Sequence, residues 1–400
     1  MIIHTPELTL QEGQVRVSAK VEMLNLVADY PDTLWFRFPE DYQSNVTDRS
    51  DGFLASLFLV AMYFGEDLEV RGQVSPKLAY GIEEQRGIFN LWFPNRFRRI
   101  DIKYMDLHVP KFEQGAMDVA TAFTGGVDSF YTLWSHLPDN QPNVASQIDR
   151  GLFIHGIDVD YRDTSSYLAA SKRFSALFEN HGLNLITAQT NVRDFSRLRI
   201  DWNYGHGGAL IGTAMVLGNL IRRFYVPSTF SYKELIPLGT SPLIDHLLST
   251  ESFETVHHGA LHKRIEKLER IASWTEVQKN LRVCTNQTKL YGIKNCCRCD
   301  KCLRTMAMLK AMGQLPRFST FDQPLGHWNI LRWGPKARSV HKYGWQILKY
   351  AIASRRYSLV LPVIAAIILG RTRYYLFDRL WAKIPAGIKY RLKSKLIGRG

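Results

Sequence analysis

The chain has 400 residues, of which 46% are hydrophobic and 22% charged, and its formal net charge is +14. This length predicts two or three domains with substantial cores, and the composition argues against a disordered protein. The charge is unevenly distributed, because residues 336–400 contain fifteen Lys or Arg and one acidic residue, whereas residues 1–335 contain 36 of each sign. The neutral body argues against a broad nucleic-acid-binding face. The basic segment predicts one local contact with an anionic partner or surface.

No targeting or membrane-spanning signal is predicted. The N-terminal sequence has neither the basic start nor the continuous apolar stretch of a secretory signal. The longest apolar run, Leu359–Leu369, has eleven residues and includes Pro362, whereas a membrane-spanning helix needs about 20. The sequence therefore predicts a cytoplasmic protein, with peripheral contact at the inner face of the membrane as an option for the basic segment.

The first part of the chain, residues 1–112, has the pattern of an α+β domain. Apolar and polar residues alternate between residues 8 and 38, as in strands. Helical spacing follows from Asp51, a candidate N-cap, to Gly65, a candidate helix end. Two further short strands are predicted near 68–70 and 87–92. No motif in this domain indicates a chemistry.

Residues 113–330 repeat the order strand, turn and helix, which predicts an α/β domain with a parallel sheet. Ligands in such domains bind beyond the carboxyl ends of the strands. The predicted strands are Asp118–Phe123, Gly151–Gly156, Leu185–Thr190 and Arg223–Pro227, and the intervening helices start near Ser129, Ser165 and Gly208. Further helices are predicted at 261–272 and at 303–312, the latter closed by Gly313.

Residues 331–400 have the composition of a basic, apolar helical tail. Helical spacing places Trp345, Leu348 and Ile352 on one face. Basic residues flank that face, namely Lys342, Lys349, Arg355 and Arg356. Mixed apolar and basic residues suit an anionic membrane surface or a protein partner at least as well as an RNA contact.

A glycine-rich loop, Thr124-Gly-Gly-Val-Asp-Ser129, follows the first predicted strand of the α/β domain. Gly125 and Gly126 would let backbone N–H groups approach an anion, and the following helix adds its positive N-terminal dipole. The hydroxyls of Thr124 and Ser129 are placed to donate to phosphate oxygens, and Asp128 faces either Mg²⁺ or a backbone N–H. The structural alternative is a Gly-Gly turn capped by Asp and Ser. The predicted nucleotide-binding residues are Thr124, Gly125, Gly126, Val127, Asp128 and Ser129.

This loop resembles the SGGxDS motif of the PP-loop ATP pyrophosphatase family, with Thr124 in place of the first Ser. The resemblance implies a HUP-type fold that binds ATP and Mg²⁺. It also implies adenylation of a substrate carboxylate or amide with release of pyrophosphate, without a protein nucleophile. Catalysis would then depend on positioning and charge neutralisation. Asp128, Ser129 and Lys233 are the predicted catalytic residues, and Arg264 and Lys267 are further candidate cations.

All five cysteines lie between Cys284 and Cys302, which in a cytoplasmic chain indicates a metal site rather than disulfides. The spacing selects four ligands and leaves Cys297 as the spare. Four thiolates suit a tetrahedral, structural Zn²⁺, and an iron–sulfur cluster also fits the spacing. The predicted metal ligands are Cys284, Cys296, Cys299 and Cys302.

Residues 295–304 resemble the zinc motif of 7-cyano-7-deazaguanine synthase, in which Cys is followed by CGxCxxCxxR. Here Cys297 replaces the Gly, and Arg304 stands one residue earlier than the motif Arg. The resemblance implies ATP-dependent activation of a carboxylate, attack by ammonia, and a structural zinc. The N-terminal domain and the tail are not expected in that compact enzyme, so a substrate other than deazaguanine is predicted, such as a sugar, peptide or cell-envelope precursor.

Other residues are weaker candidates for substrate contacts. Gly239, Thr240, Ser241, Asp245 and Arg264 are predicted to face the substrate. The alternative is a turn with Asp245 capping a helix. His206 could contact substrate or be structural, and Asp158 and Asp160 could bind metal or ribose or be solvated carboxylates.

Three other functions remain open at this point. One is a tRNA-modifying PP-loop enzyme that uses the tail as its RNA contact. The second is an ATP-dependent epimerase of a muramyl-peptide glutamate, which also proceeds through adenylation. The third is a nucleotide-binding component of a defence system that has lost turnover.

Overall fold

The computed structural model describes residues 1–24, 30–110, 118–157, 159–196, 200–284, 294–336 and 340–373. Packing divides the chain into two compact units. Of the described residues, the first comprises those up to Ile271 together with Asn280–Arg282, and the second comprises Ala272–Lys279 and those from Val283 onward. The predicted domain boundary near residue 112 falls inside the first unit, because strands from both sides of that boundary belong to one sheet.

Eleven strands in the described residues form this sheet, and most of their pairings are parallel. The strands are β1 (Ile2–Ile3), β2 (Glu7–Gln11), β3 (Gln14–Glu22), β4 (Thr33–Pro39), β5 (Leu68–Val74), β6 (Ile102–Leu107), β7 (Asp118–Ala122), β8 (Arg150–His155), β9 (Asn184–Thr190), β10 (Ile221–Pro227) and β11 (Glu254–His258). Their order is β11-β10-β7-β8-β9-β4-β3-β1-β5-β6, with β2 paired to β3. The fold is thus α/β, as predicted.

Twelve α-helices lie in the same described part of the chain. They are α1 (Asp51–Phe64), α2 (Pro76–Trp92), α3 (Val127–Ser135), α4 (Thr164–Glu179), α5 (Val192–Ser196), α6 (Trp202–Met215), α7 (Arg264–Ile271), α8 (Thr275–Asn280), α9 (Asp300–Ala311), α10 (His327–Lys336), α11 (Val340–Ala353) and α12 (Val360–Arg373). None of them has the length and hydropathy needed to cross a membrane.

Strands β7 to β11 are mutually parallel, and β7 lies at their topological switch point. The chain adds β8 and β9 on one side of β7, and β10 and β11 on the other. The crevice beyond the carboxyl end of such a strand is the usual ligand position in α/β sheets.

The four strands predicted in this region are confirmed within two residues, whereas β11 was not predicted. Helix α6 begins six residues before the predicted Gly208.

The N-terminal strands extend the same sheet, because β4 pairs antiparallel with β9 through Phe36 and Thr190. Helix α1 is buried along most of its length and packs against α6, where Gly52 and Gly212 allow close backbone contact. The predicted helix is confirmed, and Gly65 ends it with a φ of +68°. Ser50, rather than the predicted Asp51, occupies the N-cap position.

The strand predicted at 87–92 is wrong, since these residues form the last turns of α2. Ser75 caps this helix by accepting from the Leu78 N–H, and Pro76 occupies its first turn. Leu78, Ile82 and Phe89 recur on one buried face at helical spacing. The short apolar pattern at residues 87–92, which had indicated a strand, is therefore part of the longer helical pattern of α2.

In the second unit, α10, α11 and α12 pack closely through small residues. A Cβ on Gly334 would lie 2.4 Å from the Ala366 carbonyl oxygen, and one on Gly344 would contact Ile367.

The predicted closure of α9 at Gly313, with φ +71°, is confirmed. The predicted helix is confirmed, and Trp345, Leu348 and Ile352 lie on one side of α11 at helical spacing. Trp345 and Ile352 are about half exposed, and the buried residues of α11 are Val340, Tyr343, Gly344, Ile347, Leu348 and Ala351. The part of the predicted basic tail after residue 373 lies outside the described residues.

Candidate nucleotide site and cysteine cluster

The glycine-rich loop joins the buried strand β7 to the start of α3, at the switch point of the sheet. Gly125 has a φ of +73°, and a Cβ there would lie 2.4 Å from the Phe174 ring. Gly126 has an ordinary φ of −82°, and a Cβ there would lie 3.4 Å from Thr124 Oγ1. Gly125 is therefore required by the backbone, whereas Gly126 keeps the approach to the start of α3 open.

The loop is braced from within by hydrogen bonds. Ser129 Oγ donates to the Gly126 carbonyl at 3.1 Å and accepts from the Thr124 N–H at 3.4 Å. The Arg282 N–H donates to the Gly125 carbonyl at 2.7 Å. Ser129 is buried, so its hydroxyl shapes the loop, and contact with a phosphate oxygen stays a prediction.

Asp128 forms ion pairs with two cations from α7, Arg264 and Lys267. Its carboxylate contacts the Arg264 guanidinium, and the Lys267 Nζ lies 3.4 Å from Asp128 Oδ1. Lys267 Nζ also donates at 2.5 Å to the carbonyl of Ser228, just after β10. Burial lowers the pKa of Lys267, and the Asp128 charge opposes that shift. Two cations and one anion leave a surplus positive charge beside the N-terminus of α3, which favours an anion there.

Lys233, predicted to be catalytic, lies exposed on the short 3₁₀ turn Tyr232–Glu234. The cations that the fold brings to Asp128 are Arg264 and Lys267 instead. Arg264 was predicted to face the substrate, and the structure places its guanidinium against Asp128 of the glycine-rich loop. The position of α7 relative to α3 depends on contacts distant in sequence, which loop spacing does not reveal.

A histidine that the sequence did not indicate, His258, lies at the carboxyl end of β11. Its Nδ1 is 3.0 Å from Thr132 Oγ1, and its ring stacks on Tyr131 at a centroid distance of 5.8 Å. Burial, with smaller contributions from His136 and Lys267, lowers the pKa of His258 to about 3. His258 is therefore neutral at pH 7 and adds no charge beside Lys267. The unpredicted strand β11, rich in polar residues, is the reason that this histidine was missed.

The loop predicted to face the substrate is a buried turn. Ser241 N–H donates to Asp245 Oδ1 at 2.9 Å, and Asp245 Oδ2 lies 2.7 Å from His257 Nδ1. Thr240 Oγ1 lies 3.2 Å from His206 Nε2. Gly239 packs against the backbone of Tyr204. The side chains of this loop therefore hold the turn together, in line with the turn alternative, although Asp245 begins a 3₁₀ turn rather than capping an α-helix.

Among the described residues, the acidic residues after β8 do not form a metal- or ribose-binding cluster. Asp160 is exposed and pairs with Arg162 at 3.4 Å, and its carbonyl lies 2.7 Å from His155 Nε2. This placement matches the solvated-carboxylate alternative. Asp158 lies outside the described residues.

A polar pocket of about 690 Å³ lies at the N-terminal end of α6. Helices α5 and α6 connect the carboxyl end of β9 to the start of β10, so the N-terminal end of α6 lies toward the same sheet edge as the glycine-rich loop. The Arg96 guanidinium carbon lies 5.3 Å from the centroid of the Tyr204 ring. The pocket is lined by Tyr63, Asn95, Arg96, Phe97, Arg98, Ile200, Asp201 and Tyr204. Sequence reasoning missed it, because its walls come from three distant segments.

The second unit contains a cluster of four sulfurs. The Sγ atoms of Cys284, Cys296, Cys299 and Cys302 all lie within 4.8 Å of one another. Cys299 and Cys302 are 3.4 Å apart, Cys296 and Cys302 are 3.8 Å apart, and Cys284 and Cys299 are 3.9 Å apart. Four thiolates about 2.3 Å from one tetrahedral ion stand roughly 3.8 Å from each other. The four predicted ligands can therefore hold a single metal ion.

The backbone around the cluster orients these sulfurs. Cys299 occupies the N-cap position of α9, and its N–H donates to Cys296 Sγ at 3.3 Å. Asn295 Oδ1 accepts from the Cys284 N–H at 3.1 Å. Hydrogen bonding with Cys299 raises the pKa of Cys284 to about 11. Cys297 has a φ of +55° and donates its thiol to the Asn295 carbonyl, so it points away from the cluster, as predicted for the spare cysteine.

The first unit thus has a glycine-rich loop at the switch point of a parallel sheet, with two cations of α7 paired to its Asp128, and the second unit has a four-cysteine cluster. No protein-family model matches the chain, and comparisons with curated proteins and with solved structures give no significant match.

Proposed function

We propose that the chain is a cytoplasmic PP-loop enzyme that binds Mg²⁺-ATP at Thr124–Ser129 and transfers AMP to a carboxylate or amide, releasing pyrophosphate. The observation that carries this proposal is the contact of Asp128 with Arg264 and Lys267 at the start of α3. A helix N-terminus, a glycine backbone and two buried cations together favour an extended polyphosphate over a neutral ligand.

The chain's own residues would act by positioning and charge neutralisation. The N–H groups at the start of α3 would hold the pyrophosphate moiety, and Asp128 is the residue that would hold Mg²⁺. With Mg²⁺ bound at Asp128, Arg264 and Lys267 would be the cations available to the phosphate oxygens. An oxygen of the acceptor bonds to Pα while the bond from Pα to the bridging oxygen breaks, and the electron pair leaves on pyrophosphate. Arg264 and Lys267, beside the start of α3, would neutralise that negative charge.

The pocket at the end of α6 supports an anionic acceptor. Arg96 and Arg98 line it together with two tyrosines, Tyr63 and Tyr204. Guanidinium groups recognise carboxylates and phosphates, and aromatic rings stack on planar or glycosyl groups. We infer that the acceptor has an anionic group in addition to the oxygen that is adenylated.

The cysteine cluster is proposed to hold one structural Zn²⁺. Thiolates bound to different irons of an iron–sulfur cluster stand farther apart than thiolates that share one ion. The separations of 3.4 to 3.9 Å between Cys299, Cys302 and Cys284 favour the single ion. Four protein ligands leave no open position, so the ion would stabilise the second unit and take no part in the reaction.

Product analysis tests the proposed function. Purified full-length protein is incubated with Mg²⁺-ATP and a panel of acceptors, comprising amino acids, sugar acids, muramyl peptides and tRNA, with and without ammonium. We expect AMP and pyrophosphate in equal amounts with one acceptor class. Formation of ADP and phosphate would contradict adenylation, and AMP formation only with tRNA would select the tRNA-modifying class.

Nucleotide binding is tested separately from turnover with an α,β-methylene analogue of ATP. Ser129→Ala removes the hydroxyl that braces the loop. Ser135→Ala, on the same helix, removes a hydroxyl that donates only to the Tyr131 carbonyl, at 2.7 Å. We expect at least a tenfold loss of affinity in the first variant and an unchanged affinity in the second. Equal affinities in both variants would show that the phosphate loop is assigned wrongly.

A further inference from the structure

Helix α12 is apolar on two faces. One face, with Leu359 at the preceding turn, Val363 and Ala366, is buried within the second unit. The other exposes Leu361, Ile364 and Ile368, with relative exposures of 76%, 36% and 58%. These three residues recur at intervals of three and four, so they line one side of the helix. An exposed face of this kind is uncommon on a surface that meets only water.

The neighbouring helix α11 adds aromatic and basic groups. Gly344 packs on Ile367, and Val340 packs on Gly370, so α11 and α12 lie side by side and antiparallel. The outer side of α11 exposes Trp345, Lys349 and Ile352 at intervals of four and three. Tryptophan is enriched at the level of the lipid headgroups in membranes, where its ring contacts both apolar and polar groups.

The charge around this surface has a single sign. No Asp or Glu occurs between residues 323 and 377, and residues 336–400 contain fifteen Lys or Arg against one acidic residue. Arg355 and Arg371, at the ends of α11 and α12, are exposed. An apolar strip within a purely basic segment complements an anionic lipid surface, because lipid tails accept the Leu and Ile side chains while headgroups attract the cations.

We propose that the exposed faces of α11 and α12 form a peripheral docking surface for an anionic membrane. The apolar side chains of α12 enter the boundary between headgroups and acyl chains, while Lys349, Arg355 and Arg371 contact the headgroups. Such a surface lies on the bilayer without crossing it, consistent with the absence of a spanning helix among the described residues. This surface is independent of the nucleotide site and stands even if the proposed adenylation fails.

Vesicle sedimentation of the full-length protein tests this surface. The probes are phosphatidylcholine vesicles with and without about 30% phosphatidylglycerol. We expect binding to the anionic vesicles only, and several-fold weaker binding when salt is raised from about 0.1 to 0.5 M. The double variant Leu361→Glu/Ile368→Glu should lower the partition coefficient at least tenfold. Leu91→Glu, at a residue 80% exposed on α2, is the matched control and should bind like the parent protein.

Two further measurements keep the proposal falsifiable. Circular dichroism and the melting temperature establish that the double variant folds, and Lys349→Glu/Arg355→Glu tests the charges without touching α12. No binding of the parent protein to anionic vesicles, or equal binding by all variants, would overturn the proposal. If light scattering shows that the parent is a dimer and Leu361→Glu/Ile368→Glu a monomer, with vesicle binding unchanged, the surface is a contact between two copies instead.

Discussion

Lys267 Nζ lies 3.4 Å from Asp128 Oδ1 and donates at 2.5 Å to the Ser228 carbonyl, so one ammonium links the glycine-rich loop to the end of β10. Its side chain is 1% exposed. A lysine buried to this degree loses its hydration, which is offset here by an anion and a carbonyl oxygen. The arrangement places a fixed positive charge beside the first turn of α3, where the proposed pyrophosphate would lie.

The first prediction concerns this lysine. Lys267→Met keeps most of the side-chain volume and removes the charge, while Asp128 retains Arg264. We expect at least a tenfold weaker affinity for the α,β-methylene ATP analogue, because one of the two cations proposed to contact the phosphates is lost. Lys263→Met, one turn earlier in sequence and only partly buried, is the control and should bind like the parent. Isothermal titration calorimetry measures both. Unchanged affinity in Lys267→Met would remove this residue from the nucleotide site.

The two loop glycines should respond differently to alanine. Gly125→Ala places a Cβ 2.4 Å from the Phe174 ring at a φ of +73°, and should destabilise the protein by roughly 1–3 kcal/mol. Gly126→Ala has an allowed φ and meets its nearest atom at 3.4 Å, so its folding cost should be small while nucleotide affinity still falls. Urea unfolding and analogue binding separate the two effects. Equal stability losses in both variants would contradict the backbone role assigned to Gly125.

Features set by local sequence were predicted well. The strand-loop-helix context of Thr124–Ser129 and the clustering of four cysteines depend on spacing within a few residues, since a strand, two glycines and a helix start fix the loop, and the overlapping CxxC steps fix three of the four sulfurs. Phosphate binding by the loop stays a prediction. Strands β7 to β10 were also predicted, because buried parallel strands are apolar runs between turns. Only Cys284 is separated from the other three ligands by a longer stretch of the chain.

Features that depend on distant contacts were not predicted. Arg264 and Lys267 lie 136 and 139 residues after Asp128, and the sequence alone put Lys233 forward as the catalytic cation ahead of them. The pairing of β4 with β9 joins the N-terminal region to the sheet, which no local pattern reveals. Strand β11 has the sequence ETVHH, too polar to be identified as a strand by apolar alternation.

Single Cys→Ser substitutions should distinguish the four proposed metal ligands from Cys297, which is predicted not to bind the metal. Cys299→Ser removes a sulfur that lies 3.4 Å from Cys302 and 3.9 Å from Cys284. We expect metal content to fall from about one Zn²⁺ per chain to well below that, with a lower melting temperature, because three thiolates bind zinc more weakly than four. Cys297→Ser should retain the full metal content. Plasma emission spectrometry measures both variants. Loss of metal in Cys297→Ser, or iron in place of zinc, would contradict the proposed single-zinc site.

The last prediction concerns pH. The pKa of His258 is about 3 in the folded protein, whereas an unfolded histidine titrates near 6.5. Between these values the unfolded chain binds a proton that the native state does not, so the free energy of unfolding falls as the pH falls, by at most about 1.4 kcal/mol per pH unit. His258→Asn keeps a polar atom toward Thr132 Oγ1 and removes this proton uptake. Urea unfolding at pH 7 and pH 5 should therefore show a loss of stability about 2 kcal/mol smaller in the variant than in the parent protein. Equal losses of stability in the variant and the parent would mean that His258 protonates in the folded state over this range. Its imidazole would then not stay neutral beside Lys267.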